Sequence, residues 1–242
     1  MKRAVDSALG LGYRLFDTAA AYANEGLLGT VLSQGGIDRE ELFVTSKIFR
    51  SDVRKGFTQQ SFKRSLQALR MDYLDLCLIH WPVRGYERAW EELYKLYDEG
   101  LVRAIGVSNF CPEQMEILEK RGGIRPMVDQ VEFHPLQQQT EIVNYCRDKG
   151  IVVQAYGPFM QGELLGNEVI LALGGKYQCS AAQIILQWIV SQGISVIPKS
   201  ITPRRIEENA EALEIAIGEK DSLALKAMDQ RKGSLPEPYT FW

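Results

Sequence analysis

Seven short apolar runs alternate with amphipathic stretches along this chain, and six of the seven carry polar residues at or near their ends. The runs are YRLFDTA (13–19), LFVTSK (42–47), LDLCLIHW (74–81), VRAIGVSNF (102–110), MVDQVEF (127–133), IVVQAY (151–156) and ISVIPKS (194–200). Runs this short, spaced by helical patterns, are the signature of β-α units and a parallel sheet. Helices are expected over 24–34, 58–70, 86–98, 112–121, 139–149, 180–192, 202–214 and 218–230. A further helix opens the chain, with Val5, Ala8 and Leu9 on one face. Thr58 and Thr202 suit N-cap positions, Pro112 and Pro203 first turns, and Gly150 and Gly193 helix stops.

The polar tips are Asp17, Lys47, His80, Ser108 with Asn109, Tyr156, and Lys199 with Ser200. Gln130 lies within the fifth run. Polar ends on successive strands fit a barrel with a working C-terminal face. An open doubly wound sheet would gather them only at a switch point. No G-x-G-x-x-G follows the first strand. The expected fold is therefore α/β, a (β/α)8 TIM barrel in one domain over residues 1–242. With seven strands read, one is absent.

Composition narrows the function. The net charge is −3 with charges interspersed, which leaves no nucleic-acid footprint. Cys77, Cys111, Cys146 and Cys179 are isolated, so neither a disulfide framework nor a zinc site is expected, and no metal is. No apolar stretch approaches the roughly 20 residues of a membrane helix, and MKRAVDSALGLGYR is too polar for a signal peptide. The expectation is a cytoplasmic monomer acting on a small molecule, without nucleic acid or membrane.

Asp17, Tyr22, Lys47 and His80 make chemical sense as a set. A free phenol titrates near ~10, and a nearby ammonium lowers that value. Lys47 is expected to tune Tyr22 this way, with Asp17 holding the lysine and His80 directing a substrate carbonyl oxygen. Alone, each has an ordinary structural reading: Asp17 as a cap, Tyr22 as a packing aromatic, Lys47 as a snorkelling cation, His80 as a turn histidine. Residues 199–209 place a lysine, a hydroxyl and Arg205 at a helix start, which suits a phosphate. The alternative there is a solvated basic helix start, and only spacing favours Arg205 over Arg204. His134, in Phe133-His134-Pro135, reads as part of a turn, and Cys77, Ile184 and Trp188 as core.

GYRLFDTAAAYANE, LDLCLIHWP, GVSNF, VDQVEFHP and IPKSITPRRIEEN, in that order, resemble the motifs of the aldo-keto reductase family over nearly the whole chain. The resemblance implies NADPH-dependent reduction of small aldehydes, ketones or keto sugars. Tyr22 is then the general acid, Lys47 and Asp17 its tuners, His80 the carbonyl orienter and Trp81 a pocket wall. Ser108, Asn109 and Gln130 would hold the nicotinamide amide, and Tyr156 would stack on its ring. Lys199, Ser200 and Arg205 would hold the 2′-phosphate, with Glu208 and Asn209 near the adenine.

Three departures qualify the resemblance. The family's N-terminal hairpin and first barrel strand do not precede Met1, which implies unpaired sheet edges and a weakly active, inactive or regulatory member. Gly157 stands where the family often has serine. The loop after Trp81 and the tail ending PYTFW are short, which suggests an open pocket.

Overall fold

The computed structural model describes residues 1–234. The chain forms two compact units, one over Met1–Asp129 and one beginning at Gln130. The tail motif PYTFW lies outside the described residues.

In the first unit the elements run α1 (Lys2–Gly10), β1 (Leu15–Asp17), α2 (Glu25–Gln34), β2 (Phe43–Ile48), α3 (Arg50–Lys55), α4 (Thr58–Leu69), β3 (Leu74–Ile79), α5 (Tyr86–Asp98), β4 (Val102–Ser108) and α6 (Pro112–Gly122). Strand β5 (Val128–Glu132) spans the division between the units. Strands β1 to β4 pair in parallel, with Asp17 beside Thr45, Lys47 beside Leu78 and Ile79 beside Val107. All six residues of β3 are buried. A parallel strand covered on both faces reads as one continuous apolar run, as LDLCLI does. The expected amphipathic helix at 86–98 forms as α5 and buries Tyr86, Ala89, Trp90, Leu93 and Leu96 at helical spacing.

The second unit holds α7 (Thr140–Lys149), β6 (Val152–Tyr156), a 3-10 stretch (Met160–Gly166), α8 (Glu168–Tyr177), α9 (Ala181–Ser191), β7 (Ser195–Val196), α10 (Pro203–Glu211), a 3-10 turn (Ala212–Glu214) and α11 (Glu219–Lys226). Strands β6 and β7 pair in parallel. Ile184 and Trp188 are buried as expected, and His134 closes a turn through reciprocal backbone bonds with Gln137 of 3.1 and 2.9 Å. Within each unit the described strands stand in chain order, β1 to β4 in the first and β6 beside β7 in the second.

Several local expectations need correction. Thr58 is the first residue of α4 rather than its cap, a position taken by Phe57, and its buried hydroxyl finds no partner among the described residues. Helices α3 and α8 were not anticipated. The first is a short polar turn of helix with only Val53 buried. The second, EVILALGGKY, is too evenly apolar to show a period. The run at 194–200 keeps only two residues as strand, because Pro198 cannot donate to a ladder.

Gly29 shows how closely α2 and α4 approach. A Cβ there would lie 2.2 Å from the carbonyl oxygen of Leu69. Alanine would gain about 1 kcal/mol in helix propensity, but backbone cannot give way as a side chain can, and overpacking costs about 1–3 kcal/mol. Gly29→Ala is expected to lower the denaturant midpoint, with the slope of the transition unchanged.

Candidate active site

In the first unit the ends of β1, β2, β3 and β4 bring forward Asp17, Lys47, His80 and Ser108-Asn109. Lys47 is completely buried and its ammonium bonds to the Asp17 carboxylate and, at 3.0 Å, to the Thr18 carbonyl. The same ammonium stands 5.2 Å from the centre of the Tyr22 ring. That ring meets His80 edge to face, with centroids 5.8 Å apart and planes at 86°. Trp81 stacks beside His80 at 6.2 Å, and Phe49 approaches it at 6.4 Å. The structure thus gathers Asp17, Tyr22, Lys47, His80 and Trp81, and adds Phe49. Phe49 was missed because it follows β2 as a single aromatic.

The segment that carries Tyr22 is held at both ends. Tyr22 closes a 3-10 turn over Ala20–Tyr22, and Ala23 then takes a left-handed φ of 52°. Thr18 donates its amide to Thr45 at 2.9 Å and its hydroxyl to Asn24 at 2.6 Å. Across the turn, the buried Glu25 accepts from Ser46, the neighbour of Lys47, at 2.6 Å. The turn is therefore bracketed onto β2 on both sides of the phenol, by residues that sequence reading did not single out. Ser46→Ala would strand a buried carboxylate, at a cost of about 1–3 kcal/mol. Urea denaturation is expected to show that loss.

Proton affinities follow from burial and neighbouring charge. Partial burial, then the Asp17 carboxylate, pushes the Tyr22 phenol up to about 12. This corrects the expectation that Lys47 lowers it. The ammonium's charge is matched by Asp17 at close range, so little positive field reaches the phenol. Burial pulls Lys47 itself down, with Asp17 opposing by charge and hydrogen bond. Burial, then the positive charges of Lys47 and Arg50, push His80 down to about 3. Its buried Nδ1 has no hydrogen-bond partner among the described residues.

His80 is therefore a neutral imidazole across the physiological range. The unfolded chain takes up a proton near ~6.5 and the folded one only near 3, so its contribution to stability shrinks as pH falls from ~6.5 towards 3. In an NMR titration between pH 8 and 5, the imidazole signal absent from a His80→Gln variant is expected to stay unshifted.

Beyond β4, Asn109 adopts a left-handed φ of 65°. Its amide donates to the His80 carbonyl at 3.3 Å and the Ser108 hydroxyl at 3.1 Å. Ser108 and Asn109 are thus fixed beside the backbone of His80.

In the second unit, the buried Gln130 donates to Gln154 at 2.6 Å, a partner the sequence did not flag. Tyr156 ends β6 half-buried, and Gly157 has a left-handed φ of 61°. Lys199, Ser200, Thr202, Arg205, Glu208 and Asn209 line a cavity of about 500 Å³ around the start of α10. Arg204 lines an adjoining groove, with Glu207 and Glu211, that shares Glu208 with this cavity. The structure thereby separates two arginines that spacing alone could not. Thr202, the N-cap of α10, joins the expected set.

This fold has close counterparts among solved structures. An aldo-keto reductase from a Medee basin deep-sea metagenome library superposes with a TM-score of 0.93 at 37% identity, covering 98% of this chain and 90% of that one. A Bombyx mori aldo-keto reductase in complex with NADP superposes with a TM-score of 0.91 at 31% identity, covering 97% and 84%. The fold is the α/β barrel type expected from the strand and helix order, with seven strands among the described residues. In sequence, glyoxal reductase of Bacillus subtilis (strain 168) is 45% identical over 240 residues, or 98% of this chain and 87% of the relative. The Aldo/keto reductase family model matches residues 1–230, and the chain belongs to that family of oxidoreductases.

Proposed function

We propose that this protein reduces small aldehydes, α-dicarbonyls and related carbonyl compounds with NADPH. The observation that carries the reading is the gathering of the Tyr22 phenol, the buried Lys47–Asp17 pair and the neutral His80 in one place. The name of the 45% identical glyoxal reductase supports a small dicarbonyl as substrate, and the NADP complex of the Bombyx mori relative supports the cofactor.

The donor set around α10 fits the phosphate end of that cofactor. An ammonium, two hydroxyls, a guanidinium and a helix start share one cavity, and that combination suits a dianionic monoester. In this reading Lys199, Ser200 and Arg205 take the 2′-phosphate, while Glu208 and Asn209 take the adenine. Ser108, Asn109 and Gln130 hold the carboxamide, and Tyr156 lies against the ring.

When bound, the cofactor supplies a hydride to the carbonyl carbon. The chain's own residues manage the oxygen. A neutral imidazole donates a hydrogen bond without giving up its proton, so His80 orients the carbonyl. Tyr22 keeps its proton through the neutral range and delivers it to the oxygen as negative charge develops there. An alkoxide is a stronger base than a phenolate, so a phenol near 12 still donates downhill. Asp17 keeps Lys47 charged and aimed, and the pair fixes the turn that presents the phenol. Trp81 and Phe49 flank the carbonyl with apolar surface.

Replacing Tyr22 by Phe removes the proton and little else. The expected outcome is loss of methylglyoxal-dependent NADPH oxidation by at least about 10²-fold, with NADPH affinity by fluorescence titration within about twofold of the parent. An unchanged rate would refute the assignment.

A further inference from the structure

Beyond α11 the chain returns along the second unit and is stitched to the end of β5 and the turn after it. The backbone amides of Gln230 and Lys232 both donate to the Leu136 carbonyl, at 3.1 and 3.0 Å. The buried side chain of Gln138 donates to the Pro135 and Lys226 carbonyls at 2.9 and 2.8 Å, which ties the same turn to the end of α11. Ser234 then donates its backbone N–H at 2.8 Å and its hydroxyl at 2.5 Å to one oxygen of Glu132. Nε2 of His134 stands 3.2 Å from that same oxygen.

Glu132 is buried. Burial raises the proton affinity of its carboxyl, but the donors from His134 and Ser234 outweigh this and hold the group below its ordinary range. It is therefore a buried carboxylate, and a buried charge is costly to leave half satisfied. Its place on β5 suggests what it serves. Gln130 and Glu132 are two apart on the strand, so their side chains share a face. Phe133 donates its amide to the Tyr156 carbonyl at 3.3 Å, and a Cβ on Gly157 would lie 3.7 Å from Cγ of Glu132. The carboxylate thus joins Ser234 to the turn that follows β6. Lys232 also meets Glu163 of the 3-10 stretch at 2.5 Å. That pair is exposed and contributes little by itself, so the weight of the docking falls on Glu132.

We propose that Glu132 is a positioning residue: its carboxylate clamps residues 229–234 onto the ends of β5 and β6, and the docked segment holds Gln130 and the Tyr156–Gly157 turn in the arrangement that receives the nicotinamide ring. The proposal rests on the reductase reading, because it assigns the clamp to the cofactor seat named there. Docking of the segment and binding of the cofactor are then linked, and each favours the other by the same factor.

The test uses Ser234→Pro, which removes both donors without touching a residue assigned to the cofactor, and Glu132→Gln, which keeps an acceptor and removes the charge. Arg231 and Lys232 are exposed and give trypsin two bonds within the docked segment. Both variants are expected to be cut there at least about fivefold faster than the parent, and to bind NADPH at least about fivefold more weakly by fluorescence titration. NADPH should slow the parental cleavage. At saturating NADPH their kcat for methylglyoxal should stay within about twofold of the parent, a split between KM and kcat that general loosening of the fold would not give. Unchanged cleavage or unchanged NADPH affinity in Ser234→Pro overturns the proposal, as does a kcat that falls along with affinity. A parental chain without NADPH affinity would overturn the reductase reading and this proposal with it, so the parental titration tells the two failures apart.

Discussion

A fully buried ammonium is the constraint around which one end of the first unit is organised. Removing Lys47 from water without partners would cost several kcal/mol, and the chain answers with the Asp17 carboxylate and the Thr18 carbonyl. Both partners come from the end of β1, so the lysine of β2 fixes where that strand stops and which way the chain leaves it. The turn that bears Tyr22 begins at this point. Its far side is secured by Glu25 on Ser46, one residue from the lysine. The phenol is thus placed by a loop whose two feet stand on one strand.

That arrangement also sets the chemistry available. Lys47 and Asp17 largely cancel each other's field at short range, which leaves the phenol governed by burial and the carboxylate. Burial, and then the charges of the same lysine and of Arg50, keep the imidazole of His80 neutral. One group holds its proton firmly and the neighbouring group refuses one, which is the contrast that the proposed roles of Tyr22 and His80 draw on.

Much of this was legible in the sequence because strand length and polar tips leave a local signature. The tips at Asp17, Lys47, His80 and Asn109 needed only the end of each run to be read. What stayed hidden depends on distance or on balance. Ser46 and Glu25 lie 21 residues apart and look like an ordinary strand serine and a helix-start acid. Gln154, inside a buried strand, gains meaning only once Gln130 stands beside it. The height of the Tyr22 proton affinity is a contest between an ammonium, a carboxylate and burial, and no spacing rule weighs those three. Helix α3 escaped notice because six mostly polar residues carry no period, although its glycine stop at Gly56 follows a familiar pattern.

Asn109 carries two demands that few side chains meet together. Its backbone sits in left-handed space, open at low cost to glycine, asparagine and aspartate. Its side chain donates to the His80 carbonyl and the Ser108 hydroxyl, which glycine and aspartate cannot do. Glutamine has the amide but a poorer fit to that conformation. Evolutionary drift at this site therefore has no neutral stepping stone: each single exchange forfeits either the bend or the link to the histidine strand.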